Sequence, residues 1–143
     1  MSAGKPERSF FDTNVLVYAD DLYDAEKNRR ACQLIQEHLC AGTGAVSTQV
    51  LAEYFVNVTR KFKLNVDPRE ARRKIELLTA FDVVSLHKDD IIASIDLSQK
   101  HKISFWDALV VRAARQAGCR YLLTEDLQHG QVIECVEIVN PFL

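Results

Sequence analysis

The sequence predicts an α/β fold in which helices cover both faces of a parallel sheet. Strand-like and helix-like segments alternate along the chain, and this alternation is typical of parallel strands joined by crossover helices. The chain has 143 residues, of which 48% are hydrophobic, which is enough for one domain with its own core. We therefore predict a single domain over residues 1–143, in which residues 1–8 form a flexible N-terminal lead.

Short apolar segments are the predicted strands of this sheet. They are RSFFDTN (8–14), AVST (45–48), DVVSL (82–86), RYLLT (120–124) and VEIVN (136–140). Right-handed crossovers make these strands parallel, so their carboxyl ends meet at one edge of the sheet. Ligand sites of such sheets lie at that edge, and the residues that follow each strand are therefore the first candidates for function.

Helical patterns occupy the segments between the strands. They cover residues 24–40, 48–62, 67–81, 88–101 and 104–118. The third helix has a clear start signal, with Asp67 as N-cap, Pro68 in the first turn and Glu70 three residues on. The last helix has Ser104 as N-cap and Gly118 just past its end.

Composition and net charge lead us to expect a cytoplasmic protein without a strong overall positive charge. The net charge is −2, so the overall charge does not indicate a nucleic-acid-binding protein. No apolar run approaches the roughly 20 residues of a membrane span, and the N-terminus lacks the apolar core of a signal peptide. The four cysteines form no C-x-x-C pair, so we expect free thiols in a reducing compartment.

The last predicted helix carries an acidic residue on its apolar side. Asp107 shares an arc of the helical wheel with Val110, Val111 and Ala114. If that face is buried, an isolated carboxylate costs free energy or binds a proton. No lysine or arginine lies on the same arc, and a bound metal ion would supply the missing positive charge.

Other acidic residues follow the predicted strands. Asp12 ends the first strand, Glu53 lies in the helix after the second, and Glu125 and Asp126 follow the fourth. Carboxylates that converge repel one another unless protons or cations bind. Mg²⁺ and Mn²⁺ prefer such oxygen ligands, and ions held in this way suit phosphodiester hydrolysis.

Each of these acids also has an ordinary structural explanation. Asp12 can cap the helix that follows it, as can Asn14; Glu53 lies on a polar stripe of its helix; and Asp126 can be a turn residue. Neighbouring side chains in extended chain point in opposite directions, so we expect only one of Glu125 and Asp126 to enter a shared pocket.

Four segments together resemble the motifs of a known family. FFDTNVLVYA, VLAEYFVNVT, ISFWDALVVRAA and YLLTEDLQHG are similar to the motifs of PIN-domain nucleases, and more closely to those of VapC-type toxins of toxin–antitoxin pairs. The resemblance spans about Ser9 to Asn140. It implies a three-layer α/β/α sandwich around a five-stranded parallel sheet, with strand order 3-2-1-4-5.

The resemblance also assigns roles to particular residues. It implies that four acids are catalytic and hold the metal: Asp12, Glu53, Asp107 and Asp126. It implies that Asn14, Thr124 and Ser47 support the site, and between the two adjacent acids it favours Asp126 over Glu125. Phe105 and Trp106 are predicted to be core residues rather than RNA-stacking residues, because Trp106 lies near an apolar surface of the helical wheel.

The implied activity is Mg²⁺- or Mn²⁺-dependent endoribonuclease cleavage, by the toxin of a toxin–antitoxin pair. The implied partners are an RNA substrate, a cognate antitoxin and a second copy of the chain as a homodimer. Residues 24–40 and the helix from Asp67 are candidate partner surfaces. The alternative is a non-catalytic PIN-like interaction module. A receiver-type phosphoacceptor domain fits poorly, because no lysine follows the last strand.

Overall fold

The computed structural model describes residues 4–60 and 64–143. Its strands are β1 (Ser9–Phe11), β2 (Gly44–Ser47), β3 (Asp82–Val84), β4 (Tyr121–Leu123), β5 (Val132–Ile133) and β6 (Val136–Val139). Its helices are α1 (Thr13–Tyr18), α2 (Ala25–Ala41), α3 (Thr48–Arg60), α4 (Pro68–Leu78), α5 (Lys88–His101) and α6 (Phe105–Gln116). The predicted helix 48–62 is described as far as Arg60, and its last two residues lie outside the described ranges.

The strands form one sheet in the order β3-β2-β1-β4-β6-β5. Every neighbouring pair is parallel except β5 and β6. The predicted order 3-2-1-4-5 is confirmed for the five parallel strands, since β6 is the predicted fifth strand. All residues of β1 and β2 are buried, as expected for the centre of a sheet covered by helices on both faces.

A sixth, antiparallel strand corrects the prediction of five. β5 pairs with β6 through a two-residue connection, Glu134 and Cys135, whose φ angles are 51° and 67°. Two positive φ angles are typical of the type I′ hairpin turn, which strongly prefers Asn-Gly or Asp-Gly. The Glu-Cys pair therefore gives no hairpin signal in the sequence.

Local start signals of the helices lie where the sequence predicts them. The Asp67 side chain accepts from the backbone N–H of Arg69 at 2.8 Å, and Pro68 begins α4. Ser104 caps α6, and Gly118 follows it in the left-handed region with φ of 68°. These caps satisfy backbone groups that a helix end otherwise leaves unpaired.

The predicted N-terminal lead, residues 1–8, ends in an anchored residue. The Arg8 guanidinium donates to the carbonyl of Ala117 at 2.7 Å and pairs with Asp82 at 2.9 Å. Residues 1–3 lie outside the described ranges. No helix in those ranges combines the length and the apolarity needed to cross a bilayer.

Close packing of β2 on the core generates a stability prediction. A Cβ added at Gly44 would lie 2.5 Å from a ring carbon of Phe81, a core residue that packs on Phe11 with ring centroids 5.1 Å apart. We expect Gly44→Ala to lower the free energy of unfolding by about 1–3 kcal/mol, because a filled core accepts an added methyl group only with strain.

Urea denaturation measures this loss. The control is Gly4→Ala, whose Cβ would meet no atom within 4 Å. Equal midpoints for Gly44→Ala and Gly4→Ala would contradict the packing argument.

Candidate active site

The central feature of the site is the alignment of two neighbouring strand ends. β1 and β4 pair in parallel with Phe11 opposite Leu123, and the Asp12 backbone N–H donates to the Leu123 carbonyl at 3.1 Å. The next residues, Asp12 and Thr124, therefore lie side by side at the carboxyl edge of the sheet. Both are buried.

The hydroxyl group of Thr124 joins three parts of this edge. It donates to Asp12 Oδ2 at 2.7 Å, and it accepts from the backbone N–H of Asp126 at 3.0 Å. The Asn14 side-chain amide lies 3.4 Å from the same oxygen. Thr124 thus holds one carboxylate oxygen of Asp12 and the backbone of Asp126 in fixed positions next to each other.

Asp107 reaches the same point from α6. The Ser104 hydroxyl accepts from the backbone N–H of Asp107 at 3.0 Å, which fixes the first turn of the helix. One carboxylate oxygen from each of Asp12, Asp107 and Asp126 lies within 4.8 Å of the others. The acid on the apolar side of the last helix is therefore half-buried and faces two other carboxylates.

Burial and mutual repulsion raise the pKa values of the inner acids. Desolvation is the main cause that raises the pKa of Asp12 to about 6; hydrogen bonds from Thr124 and Thr13 oppose it, and the charges of Asp126 and Asp107 add to it. Burial also raises the pKa of Asp107, with a further contribution from the charge of Asp126. The cluster thus holds negative charge that its surroundings do not neutralise.

A cavity of about 540 Å³ opens over the cluster. No lysine or arginine is among the described residues that line it, and its acidic lining residues are Asp12, Asp21, Glu53, Asp107 and Asp126. A carboxylate cluster without a cationic side chain is the setting in which a divalent ion relieves repulsion.

The donor atoms fit Mg²⁺ or Mn²⁺. The clustered groups are carboxylates, and oxygen is the ligand that both ions prefer. Asn14 lines the cavity, and its buried Oδ1 has no hydrogen-bond partner, as is also true of the Thr13 hydroxyl. Buried polar atoms are rarely left unpaired in proteins, so these oxygens are further candidate acceptors for a cation or its water shell.

Glu53 lies on the α3 wall of the same cavity. Gln49, Glu53 and Asn57, spaced one turn apart, all line it, so the polar stripe of this helix faces the cavity. The Glu53 carboxylate is exposed and accepts from the Gln49 side chain at 2.7 Å. It stands outside the group of oxygens within 4.8 Å, and its role as a metal ligand stays a prediction.

Ser47 is buried and acts locally on α3. Its hydroxyl accepts from the backbone N–H of Val50 at 3.1 Å, the bond by which an N-cap side chain satisfies the first turn. Ser47 does not line the cavity. Ser47 thereby caps the start of the helix that carries Glu53, and its role in supporting the site stays a prediction.

The two adjacent acids after β4 point to different partners. Glu125 receives the Lys27 ammonium at 2.5 Å and the Tyr18 hydroxyl at 2.7 Å, whereas Asp126 is in the carboxylate cluster. The Lys27 ammonium also lies 4.7 Å from the centroid of the Tyr18 ring. This arrangement ties α1 and α2 to the loop that carries Asp126.

Sequence reasoning missed several residues of the cavity wall. Trp106, expected in the core, is 65% exposed and lines the cavity, because the described structure places no element over the first turn of α6 at this point. Tyr18 and Asp21 also line it. Tyr18 lies four residues after Asn14, which puts both on one face of α1, a signal that the sequence does contain, whereas Asp21 lies beyond the end of that helix.

Comparison with solved structures finds the same fold in toxins. A toxin–antitoxin complex from Klebsiella pneumoniae aligns with a TM-score of 0.67 and 22% identity, covering 93% of this chain and 97% of that one. VapC20 of Mycobacterium tuberculosis, a toxin that cleaves the sarcin–ricin loop, aligns with a TM-score of 0.64 and 21% identity, covering 80% and 86%. VapBC2 of Rickettsia felis, bound to a promoter DNA fragment, aligns with a TM-score of 0.60 and 17% identity, covering 91% of this chain and 96% of that one.

These identities establish likeness of fold alone, and a search of curated protein sequences gave no match. The family model described as PIN domain matches residues 9–133. That range contains the β1 and β4 strand ends, the capped start of α6 and every acid of the cavity. The chain therefore belongs to the PIN domain family, a family of nucleases.

Proposed function

We propose that this protein is an Mg²⁺- or Mn²⁺-dependent endoribonuclease and the VapC-type toxin of a toxin–antitoxin pair. The observation that carries the proposal is the cluster of Asp12, Asp107 and Asp126, whose carboxylate oxygens lie within 4.8 Å of one another in a cavity without a cationic side chain. Membership in a family of nucleases and the fold shared with an RNA-cleaving toxin support it.

Each predicted site residue has a definable task in this proposal. Asp12, Asp107 and Asp126 hold the metal, and Glu53 on the opposite helix completes the acidic set. When bound, a divalent ion lowers the pKa of water and stabilises negative charge on the leaving oxygen. Thr124 keeps Asp12 and Asp126 in register, Asn14 offers an unpaired buried oxygen, and Ser47 caps the helix of Glu53.

The antitoxin is the second proposed partner. A groove of about 330 Å³ lies between α1, α2 and α4 and is lined mainly by apolar side chains, among them Leu16, Ile35, Leu39, Leu77 and Leu78. It coincides with the candidate partner surfaces, residues 24–40 and the helix from Asp67. We propose that an apolar segment of the antitoxin binds there. The fold shared with toxin–antitoxin complexes supports this assignment.

We also propose that the toxin is a cytoplasmic homodimer.

Substitution of single carboxylates is the direct test of the nuclease. We expect Asp12→Asn, Asp107→Asn and Asp126→Asn each to reduce cleavage of cellular RNA at least about a hundredfold, because each removes a charged ligand from the cluster. Glu125→Gln is the matched control, since the neighbouring acid faces Lys27, and it is expected to keep most of the activity.

The assay compares purified protein with Mg²⁺, with Mn²⁺ and with EDTA, and each variant is checked for folding by circular dichroism. Discrete fragments that require metal and disappear in the cluster variants agree with the proposal. A well-folded wild-type protein that binds no metal and cleaves no RNA would instead favour the non-catalytic interaction module.

The raised pKa of Asp12 predicts how stability depends on pH without metal. The unfolded chain releases this proton near pH 3.8, while the folded protein holds it up to about pH 6. Raising the pH through this window therefore destabilises the fold. Relative to Asp12→Asn, which lacks the titrating group, we expect the wild type to lose about 2 kcal/mol of unfolding free energy between about pH 4 and pH 7.

Denaturation series in EDTA measure this difference. Saturating Mg²⁺ should restore the stability of the wild type above about pH 6, because the ion binds the ionised form. Parallel pH curves for the wild type and Asp12→Asn would contradict the electrostatic account of the cluster.

The antitoxin groove has its own test. Leu77 is 60% exposed and lines the groove, so Leu77→Glu places a charge where the proposed partner buries apolar surface. We expect loss of co-purification with the cognate antitoxin and unchanged RNA cleavage by the free protein. Undiminished co-purification would place the antitoxin elsewhere.

A further inference from the structure

An exposed tryptophan lies on the wall of the acidic cavity. Trp106 is the only tryptophan in the chain, and 65% of its surface is exposed. Large apolar side chains are also exposed elsewhere in residues 4–60 and 64–143, but among these Trp106 alone lines the cavity. An exposed ring of this size lacks most of the burial free energy that usually keeps tryptophan inside a protein, so its indole face is free to contact a ligand in the cavity.

The ring is held in place although it is exposed. It lies in the first turn of α6, which Ser104 caps, and its neighbour Phe105 packs against it edge to face, with centroids 5.5 Å apart and planes at 69°. Such aromatic contacts favour a defined orientation. A pre-oriented aromatic face loses little conformational entropy when it receives a ligand.

Its neighbours define the chemistry of that ligand. Trp106 directly precedes Asp107, one of the clustered carboxylates, and both side chains line the same cavity. The volume of about 540 Å³ lies within the range of sites that bind small-molecule-sized ligands. A ligand that spans this wall combines a phosphate at the metal-binding acids with a flat aromatic group beside it, which describes a nucleotide.

We propose that the indole of Trp106 stacks on the base of a nucleotide adjacent to the scissile phosphate. The inference rests on the proposed nuclease function and adds to it a side chain that contacts the substrate beside the cleaved bond. A base in a duplex is stacked on both faces and presents none to the protein, whereas an unpaired base is free to stack on an aromatic side chain. Trp106 can therefore stack in this way only where the nucleotide beside the cleavage site is unpaired.

Steady-state kinetics on a single-stranded RNA test the role of the ring. Trp106→Leu is expected to raise KM about tenfold, the size expected for loss of one stacked base, with a smaller change in kcat because stacking is present before and during the reaction. Trp106→Phe keeps an aromatic face and should restore most of the loss. The matched control is Val132→Ala, an apolar side chain that is 61% exposed away from the cavity.

Intrinsic fluorescence reports the contact directly, because Trp106 is the only indole. The probe is a mixed-sequence single-stranded RNA octamer in Ca²⁺, with gel analysis to verify that it stays intact. Its control is an abasic octamer of equal charge, and metal alone gives the baseline. We expect quenching by the octamer with bases and little quenching by the abasic octamer or by a blunt duplex.

The outcomes separate this inference from the proposed function. Equal quenching by abasic and base-containing octamers, or an unchanged KM in Trp106→Leu, overturns the stacking role while cleavage by the wild type still supports the nuclease. Unchanged kinetics together with lost antitoxin binding would make Trp106 a protein contact and would also overturn it. Absence of both cleavage and RNA binding in the wild type defeats the nuclease and the inference together.

Discussion

The hydrogen bond from Thr124 to Asp12 is the constraint on which the site depends. It joins residues that follow two neighbouring parallel strands, β1 and β4, and the register of those strands brings the groups together. The same hydroxyl receives the backbone N–H of Asp126. Because both strands lie at the buried centre of the sheet, the rigidity of the core is transmitted to the carboxylates. A site built on strand ends and a capped helix is positioned before any ligand arrives.

The same arrangement lowers the stability of the folded protein. Asp12 is buried with its pKa raised to about 6, and the charges of Asp107 and Asp126 add to the burial effect. Unfavourable electrostatics at functional positions is a recurring compromise between stability and activity. Elsewhere the protein pairs its buried charge: Asp20 receives the Tyr54 hydroxyl at 2.5 Å and also contacts Lys74. The carboxylate cluster has no cationic partner among the described residues that line the cavity, which is the reason to propose a metal ion there.

Much of this arrangement can be predicted from the sequence, and the features that were not predicted have physical explanations. The caps of α4 and α6 and the inward position of Asp107 follow from patterns of short range, whereas the order of the parallel strands follows from the resemblance to PIN-domain nucleases. β5 escapes prediction because its turn is Glu-Cys and the strand has only two residues. Trp106 was misplaced because a helical wheel shows which side chains share a face and not whether another element covers that face. The resemblance already favours Asp126 over Glu125, but local sequence does not show the physical reason, which is the ion pair of Glu125 with Lys27, 98 residues away.

The most direct test of the central claim is the anomalous scattering of Mn²⁺ in crystals of the wild-type protein. The account predicts a peak among the carboxylates of Asp12, Asp107 and Asp126, with oxygen atoms about 2 Å from the ion, and loss of that peak in Asp12→Asn. Crystals soaked at saturating Mn²⁺ above pH 7 that show no peak between these carboxylates would contradict the claim that the clustered acids of this cavity hold a metal.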